Sequence, residues 1–183
     1  MSGPSDPSDL SHPSDPSDTL APDLATSAWR LDPARSSVEF QVPHFYGLMT
    51  VKGRFKDFEG TLDLRQEPAV QLTIEATSLD TGNGKRDKHL RSADFFGVEQ
   101  SPQVRFVSDS ATLAGERLKV KGTLQAAGAS VPIELDAALR TVDGEPEIEA
   151  VTEVDQRQLG MTWSPIGITR TPTKLIVRGR LIH

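Results

Sequence analysis

Four histidines are the side chains in this sequence best suited to proton transfer near neutral pH: His12, His44, His89 and His183. His12 falls in a repeat of Pro, Ser and Asp, and His183 is the last residue of the sequence, so His44 and His89 carry whatever acid-base chemistry the fold can offer. A metal centre would need these two to converge with a carboxylate, because no HxH, HxxxH or HExxH spacing supplies two ligands from one element. Neither a metal nor a cofactor is expected. Nucleophilic catalysis has no GxSxG elbow behind it. With no cysteine in the chain, a catalytic thiol, thiolate metal ligation and a disulfide framework are all excluded. Gly82-Asn83-Gly84-Lys85 resembles a loop but lacks the spacing of a phosphate-binding P-loop. What remains is hydrogen bonding. His44, Arg86, Asp87 and His89 read either as a polar collar around a binding site or as ties between an insertion and the body of the fold.

The elements that must position these groups are strands. From Trp29 onward apolar and polar residues alternate with period two, the signature of strands with one buried face, and no long amphipathic helix interrupts them. Val38, Phe40, Val42 and His44 share one face of the first clear strand. Val51, Gly53 and Phe55 follow, then a turn expected over Asp57 to Gly60, then Leu62 and Leu64. Val70, Leu72, Ile74 and Ala76 repeat the pattern, as do the later runs from Val104, Leu118, Val131, Ile148 and Leu175. Gly115, Gly128 and Gly144 sit in short turns at positions that can take positive φ, so neighbouring strands run antiparallel. The expected fold is all-β, with about eight antiparallel strands forming a sandwich or, more economically for its edges, a closed barrel. An eight-stranded barrel is just filled by its side chains or holds one small ligand. Gly53, Ala76, Gly122, Ala137, Ala150 and Gly179 on the inner face either leave volume unclaimed or merely let the strands bend. Nine of the ten aromatic residues lie between Trp29 and Phe106, Trp163 being the exception, so one half of the interior is built of rings.

Residues 77–100 break the alternation. Asn83 is a good helix N-cap and Lys85 to Arg91 suit about two helical turns, with Asp87 and Arg91 spaced to pair on the helix surface. Asp94-Phe95-Phe96 then forms a turn that drives two rings inward before Pro102 opens the next strand. This short helical insertion is a plug or lid.

Residues 1–26 contrast with everything after them. Their Pro/Ser/Asp repeat holds too few apolar side chains to offset the entropy of ordering, and a disordered tail is expected there, with the barrel domain over 27–183. The tail is either an inert extension or a spacer and phosphorylation platform through Ser5, Ser8, Ser14 and Ser17. Twenty Lys and Arg against twenty-six Asp and Glu give a net charge of −6, but Asp6, Asp9, Asp15, Asp18 and Asp23 account for five of these charges. The nearly neutral domain argues against nucleic-acid binding. Neither a cationic apolar leader nor a transmembrane segment is evident, so the expected location is cytoplasmic.

The run Asp80-Thr81-Gly82-Asn83-x-x-Arg86-Asp87-x-His89-Leu90-Arg91-Ser92-x-Asp94-Phe95-Phe96 is long and distinctive. Together with Trp29-x-Leu31-Asp32, Val38-x-Phe40-x-Val42-x-His44 and the stretch from Val154 to Trp163, it resembles the YceI family of lipid- or polyisoprenoid-binding proteins over about Trp29 to His183. The resemblance implies a lipocalin-like antiparallel eight-stranded barrel enclosing an elongated cavity for an isoprenoid chain such as that of a quinone. On that reading Phe40, Val42, Phe55, Leu72, Ile74, Phe95, Phe96, Phe106 and Trp163 touch the chain, while His44, Arg86, Asp87 and His89 meet its headgroup. The expected role is carriage, storage or sequestration of a polyprenyl quinone or similar lipid, and a homodimer is compatible with it. Two other readings stand beside it: an enzyme acting on a hydrophobic substrate with His44 or His89 as acid or base, and a protein-interaction module with a filled barrel.

Overall fold

In the computed structural model residues 24–44, 49–161 and 172–183 are described. Ten strands and one helix follow in chain order: β1 (Ala28–His44), β2 (Met49–Phe55), β3 (Phe58–Asp63), β4 (Ala69–Glu75), β5 (Leu79–Asp80), α1 (Gly84–Arg91), β6 (Gln103–Ala114), β7 (Arg117–Ala126), β8 (Ala129–Val142), β9 (Glu145–Val154) and β10 (Thr173–Ile182). Eight of them close a ring in the order β1-β3-β4-β6-β7-β8-β9-β10, and β10 returns antiparallel to β1. The expected eight-stranded antiparallel barrel is therefore the fold. Alternating side chains fill its interior, among them Leu62, Phe106, Leu118, Val120, Leu139 and Leu181, while Glu59, Lys119 and Glu134 point outward.

The two extra strands arise because two edges are interrupted rather than turned. The expected turn over Asp57 to Gly60 is absent. Lys56 and Asp57 form only a bend, Phe58 and Gly60 are buried in β3, and both β2 and β3 lie along β1. The Ser78 hydroxyl accepts from both bend amides, Lys56 N at 3.1 Å and Asp57 N at 3.0 Å, which satisfies donors that a continuous ladder would have paired. Asp-Phe-Glu-Gly has the composition of a turn, but the Phe58 ring gains more by burial on the inner face than a reversal there would allow.

Two bulges switch the parity of the inner face. In β1 the register with β10 shifts between Leu31 and Ser36, so Trp29 and Leu31 point inward before it and Val38, Phe40 and Val42 after it. In β6 the shift between Ser108 and Ser110 does the same. The tight turns behave as expected: Gly115 has φ 57°, Ala127 and Gly128 have φ 51° and 78°, and Asp143 and Gly144 have φ 54° and 79°.

Inner glycines neither leave space nor simply bend the strands. A Cβ at Gly53 would stand 2.2 Å from the Phe40 ring, one at Gly179 would stand 2.1 Å from the Ser36 hydroxyl, and one at Gly122 would lie 2.4 Å from the Val107 carbonyl and 2.6 Å from the Phe106 ring. Neighbouring side chains occupy the volume these glycines give up. Ala137 and Ala150, which face each other across β8 and β9, do border open space, as do Gly60 and Ala126.

The two ends of the barrel differ. At one end Leu24 is 2 % exposed, the Trp29 indole donates to the Leu24 carbonyl at 3.1 Å, and the Trp29 ring stacks on His183 at 4.1 Å, making a floor. Leu24–Thr26 is a short 3-10 turn within the stretch whose composition suggests a tail. At the other end, the mouth, lie the last residues of β1, β4, β7 and β9, the insertion between β5 and β6, and a second 3-10 turn over Gln156–Leu159. Asp80 roots the insertion there. Its carboxylate accepts from Lys56 at 2.9 Å and from the Gly82 amide at 2.9 Å, and faces Arg54 at 3.5 Å. The Lys56 hydrogen bond first, and then that from Gly82, lower its pKa to about 2.

Two tests follow from these contacts. Gly122→Ala pits a methyl group against a backbone carbonyl that cannot rotate away, and destabilisation by about 1–3 kcal/mol is expected in denaturant titration, on the scale of core overpacking; a change within error would refute the close approach. Because the Asp80 pKa is depressed, its contribution is complete above the ordinary carboxylate range near 4 and is lost as pH falls through about 2. The Gly82 amide resonance is expected to titrate with a midpoint near 2 in native protein, and Asp80→Asn is expected to abolish that titration.

Candidate functional site

An internal cavity of about 350 Å³ runs along the barrel axis, at the lower end of the range of small-molecule sites. Two kinds of wall enclose it. β1 to β6 and the insertion contribute Phe40, Phe55, Phe95, Phe96 and Phe106, whereas β7 to β10 contribute aliphatic side chains such as Val120, Leu135, Ala150 and Leu175. The rings form a continuous path from wall to insertion: Phe40 packs against Phe55 at 5.5 Å, and Phe55 meets the edge of Phe96 at 5.8 Å. Leu31, Leu62, Leu118 and Leu181 line the end above the Trp29 floor. Of the polar lining groups, Arg86, His89, Thr152, Gln156 and Thr173 belong to the mouth end, whereas Thr61 and Gln71 lie nearer the floor. The cavity is thus mainly apolar, with most of its polar lining at the mouth.

The insertion is built as the sequence suggests, with one difference that matters. Asn83 caps α1 by accepting from Lys85 N at 3.1 Å and Arg86 N at 3.2 Å. Asp87 and Arg91, however, do not pair on the surface. Asp87 is 7 % exposed and its Oδ1 accepts from both the amide (3.0 Å) and the hydroxyl of Thr81, while Arg91 turns back to donate to the Leu79 carbonyl. Both side chains thus hold the helix to the strand that precedes it, because a buried carboxylate needs donors more than a solvated i,i+4 partner. Phe96 N to Leu90 O and Val98 N to Arg91 O then fold the segment after α1 back, so that Phe95 and Phe96 reach the cavity.

Of the residues expected to contact a ligand, Phe40, Val42, Phe55, Leu72, Ile74, Arg86, His89, Phe95, Phe96 and Phe106 all line the cavity. Asp87 does not; it acts one step behind, on Thr81. Trp163 lies outside the described residues, as does the side chain of His44, whose backbone pairs with Met49 at the mouth end of β1. His89 Nε2 is 3.5 Å from an Asp94 carboxylate oxygen, and its ring meets Phe95 edge to face at 5.2 Å. No group of three or more His, Cys, Asp or Glu that could hold a metal occurs among the described residues.

Gln156, Leu159 and Met161 also line the cavity, and sequence reasoning did not place them there. Asp155 accepts from Arg157 N at 3.0 Å and Gly160 closes the turn in the left-handed region at φ 74°, so Leu159 and Met161 are carried inward, 5 % and 6 % exposed. The signal was available as an Asp and a Gly bracketing four residues just past a strand.

Comparison with known proteins agrees with this architecture. Protein YceI of Escherichia coli O157:H7 is 42% identical over 106 residues, 56% of this chain and 55% of its own length. The chain thus spans about half the length of the curated relatives it matches. Among solved structures, Burkholderia cenocepacia BcnA shares the fold with a TM-score of 0.73 at 18% identity, covering 84% of this chain and 99% of that one. A polyisoprenoid binding domain from Saccharophagus degradans does so with a TM-score of 0.66 at 13% identity, covering 85% and 98%. The model of the YceI-like domain matches residues 29–178, a span that reaches every strand of the barrel, and the chain belongs to that family.

Proposed function

We propose that the barrel binds a long apolar isoprenoid lipid, a polyprenyl quinone or a similar chain, and carries, stores or sequesters it in the cytoplasm. The observation that supports this reading is an internal cavity lined mainly by apolar side chains, with most of its polar lining groups toward the mouth. The solved relative named for polyisoprenoid binding supports it by analogy of fold. Magnitudes set the length of the ligand. Burying about ten methylene groups contributes about 8 kcal/mol, which only matches the roughly 4–15 kcal/mol that association costs. A chain of several isoprene units is needed, or a headgroup contact must make up the difference.

A filled barrel acting only through its rim is disfavoured by the cavity itself. Catalysis through His89 has a geometric opening in the nearby Asp94, whose carboxylate oxygen lies 3.5 Å from Nε2.

Organic extraction of purified protein followed by mass spectrometry is expected to yield chains of mixed length, because apolar contacts discriminate weakly between homologues. An empty extract, together with no uptake of an added polyprenyl quinone, would overturn the proposal. Ala137→Leu with Ala150→Leu adds side chains to the open part of the interior and is expected to cut bound lipid by about half or more. Circular dichroism should remain that of the native barrel. Unchanged lipid content in a folded double variant would place the ligand elsewhere.

A further inference from the structure

A second concavity lies on the outside of the barrel, away from the lipid cavity. It is a surface groove of about 410 Å³ that crosses the closing seam, running from Ala34 and Ser37 on β1 over Arg178 on β10 and Glu149 on β9 to Ala138 and Arg140 on β8. Its lining holds three guanidinium groups, those of Arg35, Arg140 and Arg178, against the carboxylates of Glu147 and Glu149. Arg35 is used by Asp32 at 2.7 Å and Glu145 at 2.8 Å, and Glu147 is held by Arg180 at 2.9 Å. Arg178 donates only its Nε, to Glu149 at 2.8 Å, and Arg140 Nε stays 3.9 Å from Glu116. The terminal N–H groups of these two forks have no acceptor among the described residues. Arg140 is opposite Glu147 and Arg178 opposite Glu149, with β9 between them, so their Cα atoms stand about 12 Å apart.

Residues 1–23 lie outside the described residues, but their sequence has a period of its own. Pro-Ser-Asp recurs in one frame at 4–6, 7–9, 13–15 and 16–18, with Leu10-Ser11-His12 as the triplet between. Pro-rich segments favour polyproline II, whose three residues per turn resolve such a period into a proline edge, a serine edge and an acidic edge. Successive acids on that edge are about 9 Å apart. Long arginine side chains span the small difference from the spacing of the two forks, and each fork matches one carboxylate. Reach selects the second repeat. Asp18 is six residues before Leu24 at the floor, about 19 Å in this conformation, and Ala34 is six residues up β1 from Ala28, about 20 Å. The first repeat lies nine residues farther out.

We infer that residues 13–18 dock in this groove as an acidic strap, with Asp15 and Asp18 on Arg140 and Arg178 and the prolines beside Ala34 and Ala138. The occupant is the chain's own tail, because a tether this short holds the acids near the groove at an effective concentration on the order of millimolar. That concentration fills contacts which, one at a time on an exposed surface, are weak. Since the groove lies over the pairing of β1 with β10, the strap ties β1 to β8 across the two strands between and braces the closure from outside. It does not enter the lipid cavity, and the inference is independent of the lipid-binding reading.

The test uses the full chain, whose lack of cysteine lets Ser17→Cys carry a single nitroxide label. The amide resonances of Ala34, Ser37 and Ala138 are expected to lose about half their intensity or more relative to the reduced label. Those of Thr73 and Arg105, on β4 and β6 across the barrel, should keep theirs. Three changes should each remove most of the broadening: Asp15→Asn with Asp18→Asn, Arg140→Gln with Arg178→Gln, and a rise in ionic strength from about 0.05 M to about 0.5 M. Circular dichroism checks that the arginine variant keeps the barrel, and the aspartate variant alters the tail alone. Undiminished signals at the groove, or groove broadening that survives the aspartate substitutions, would overturn the inference. So would broadening in isotope-labelled molecules without nitroxide when they are mixed with spin-labelled ones, since the contact would then be between molecules. The lipid-binding proposal stands or falls separately, on extraction and uptake.

Discussion

Everything in this molecule depends on the pairing of β1 with β10. Each inner face is apolar, so a sheet left open would expose a long hydrophobic surface and two unpaired edges; closing the ring removes both at once. The seam runs from Arg30 opposite Ile182 to Gln41 opposite Lys174, and it survives the register shift at Asp32 to Arg35 because Ser36 can settle against Gly179. On its other side β1 holds β2 and β3. A single strand of seventeen residues is therefore the common support of the seam and of the wall that carries the insertion.

From that ring the site follows with little further design. Sheet closure fixes an interior of a given width, rings on one side and branched aliphatic side chains on the other narrow it, and the Ala137 and Ala150 pair leaves room where the two walls would otherwise meet. The floor is closed by Trp29, Leu24 and His183, and most of the polar groups that line the cavity lie toward the mouth. There the insertion is held both by hydrogen bonds to Leu79 and Thr81 and by Leu90, Phe95, Phe96 and Val98 packing against the core.

Much of this was legible in the sequence, because period-two alternation and glycine turns are local signals with local physical causes. Phe40, Phe55, Phe106 and the Asn83 cap could each be placed from their immediate neighbours. What was not legible came from tertiary context. Asp57-Phe58-Glu59-Gly60 carries turn residues yet continues a strand, since the deciding partner is Ser78, twenty-one residues from Asp57. Asp87 looks like half of a surface ion pair until Thr81 is brought beneath it. The inner glycines invite a reading as empty space, and only the cross-strand register shows that Phe40 lies over Gly53. Arg86 could be placed at the cavity from the family resemblance but not from periodicity, because α1 is too short and too polar for its pattern to reveal a buried side.

The distance along the chain between the two halves of the seam has a consequence in time. Contacts between residues as far apart as Arg30 and Ile182 form late, after the local hairpins of β6 to β9 have already paid out most of their entropy. During synthesis the early strands emerge well before the strand that will close them, so for that interval their apolar faces are open to whatever hydrophobic molecule or chaperone is nearby. The container therefore comes into existence only once β10 has paired with β1, and the strands that precede β10 do not enclose a cavity by themselves.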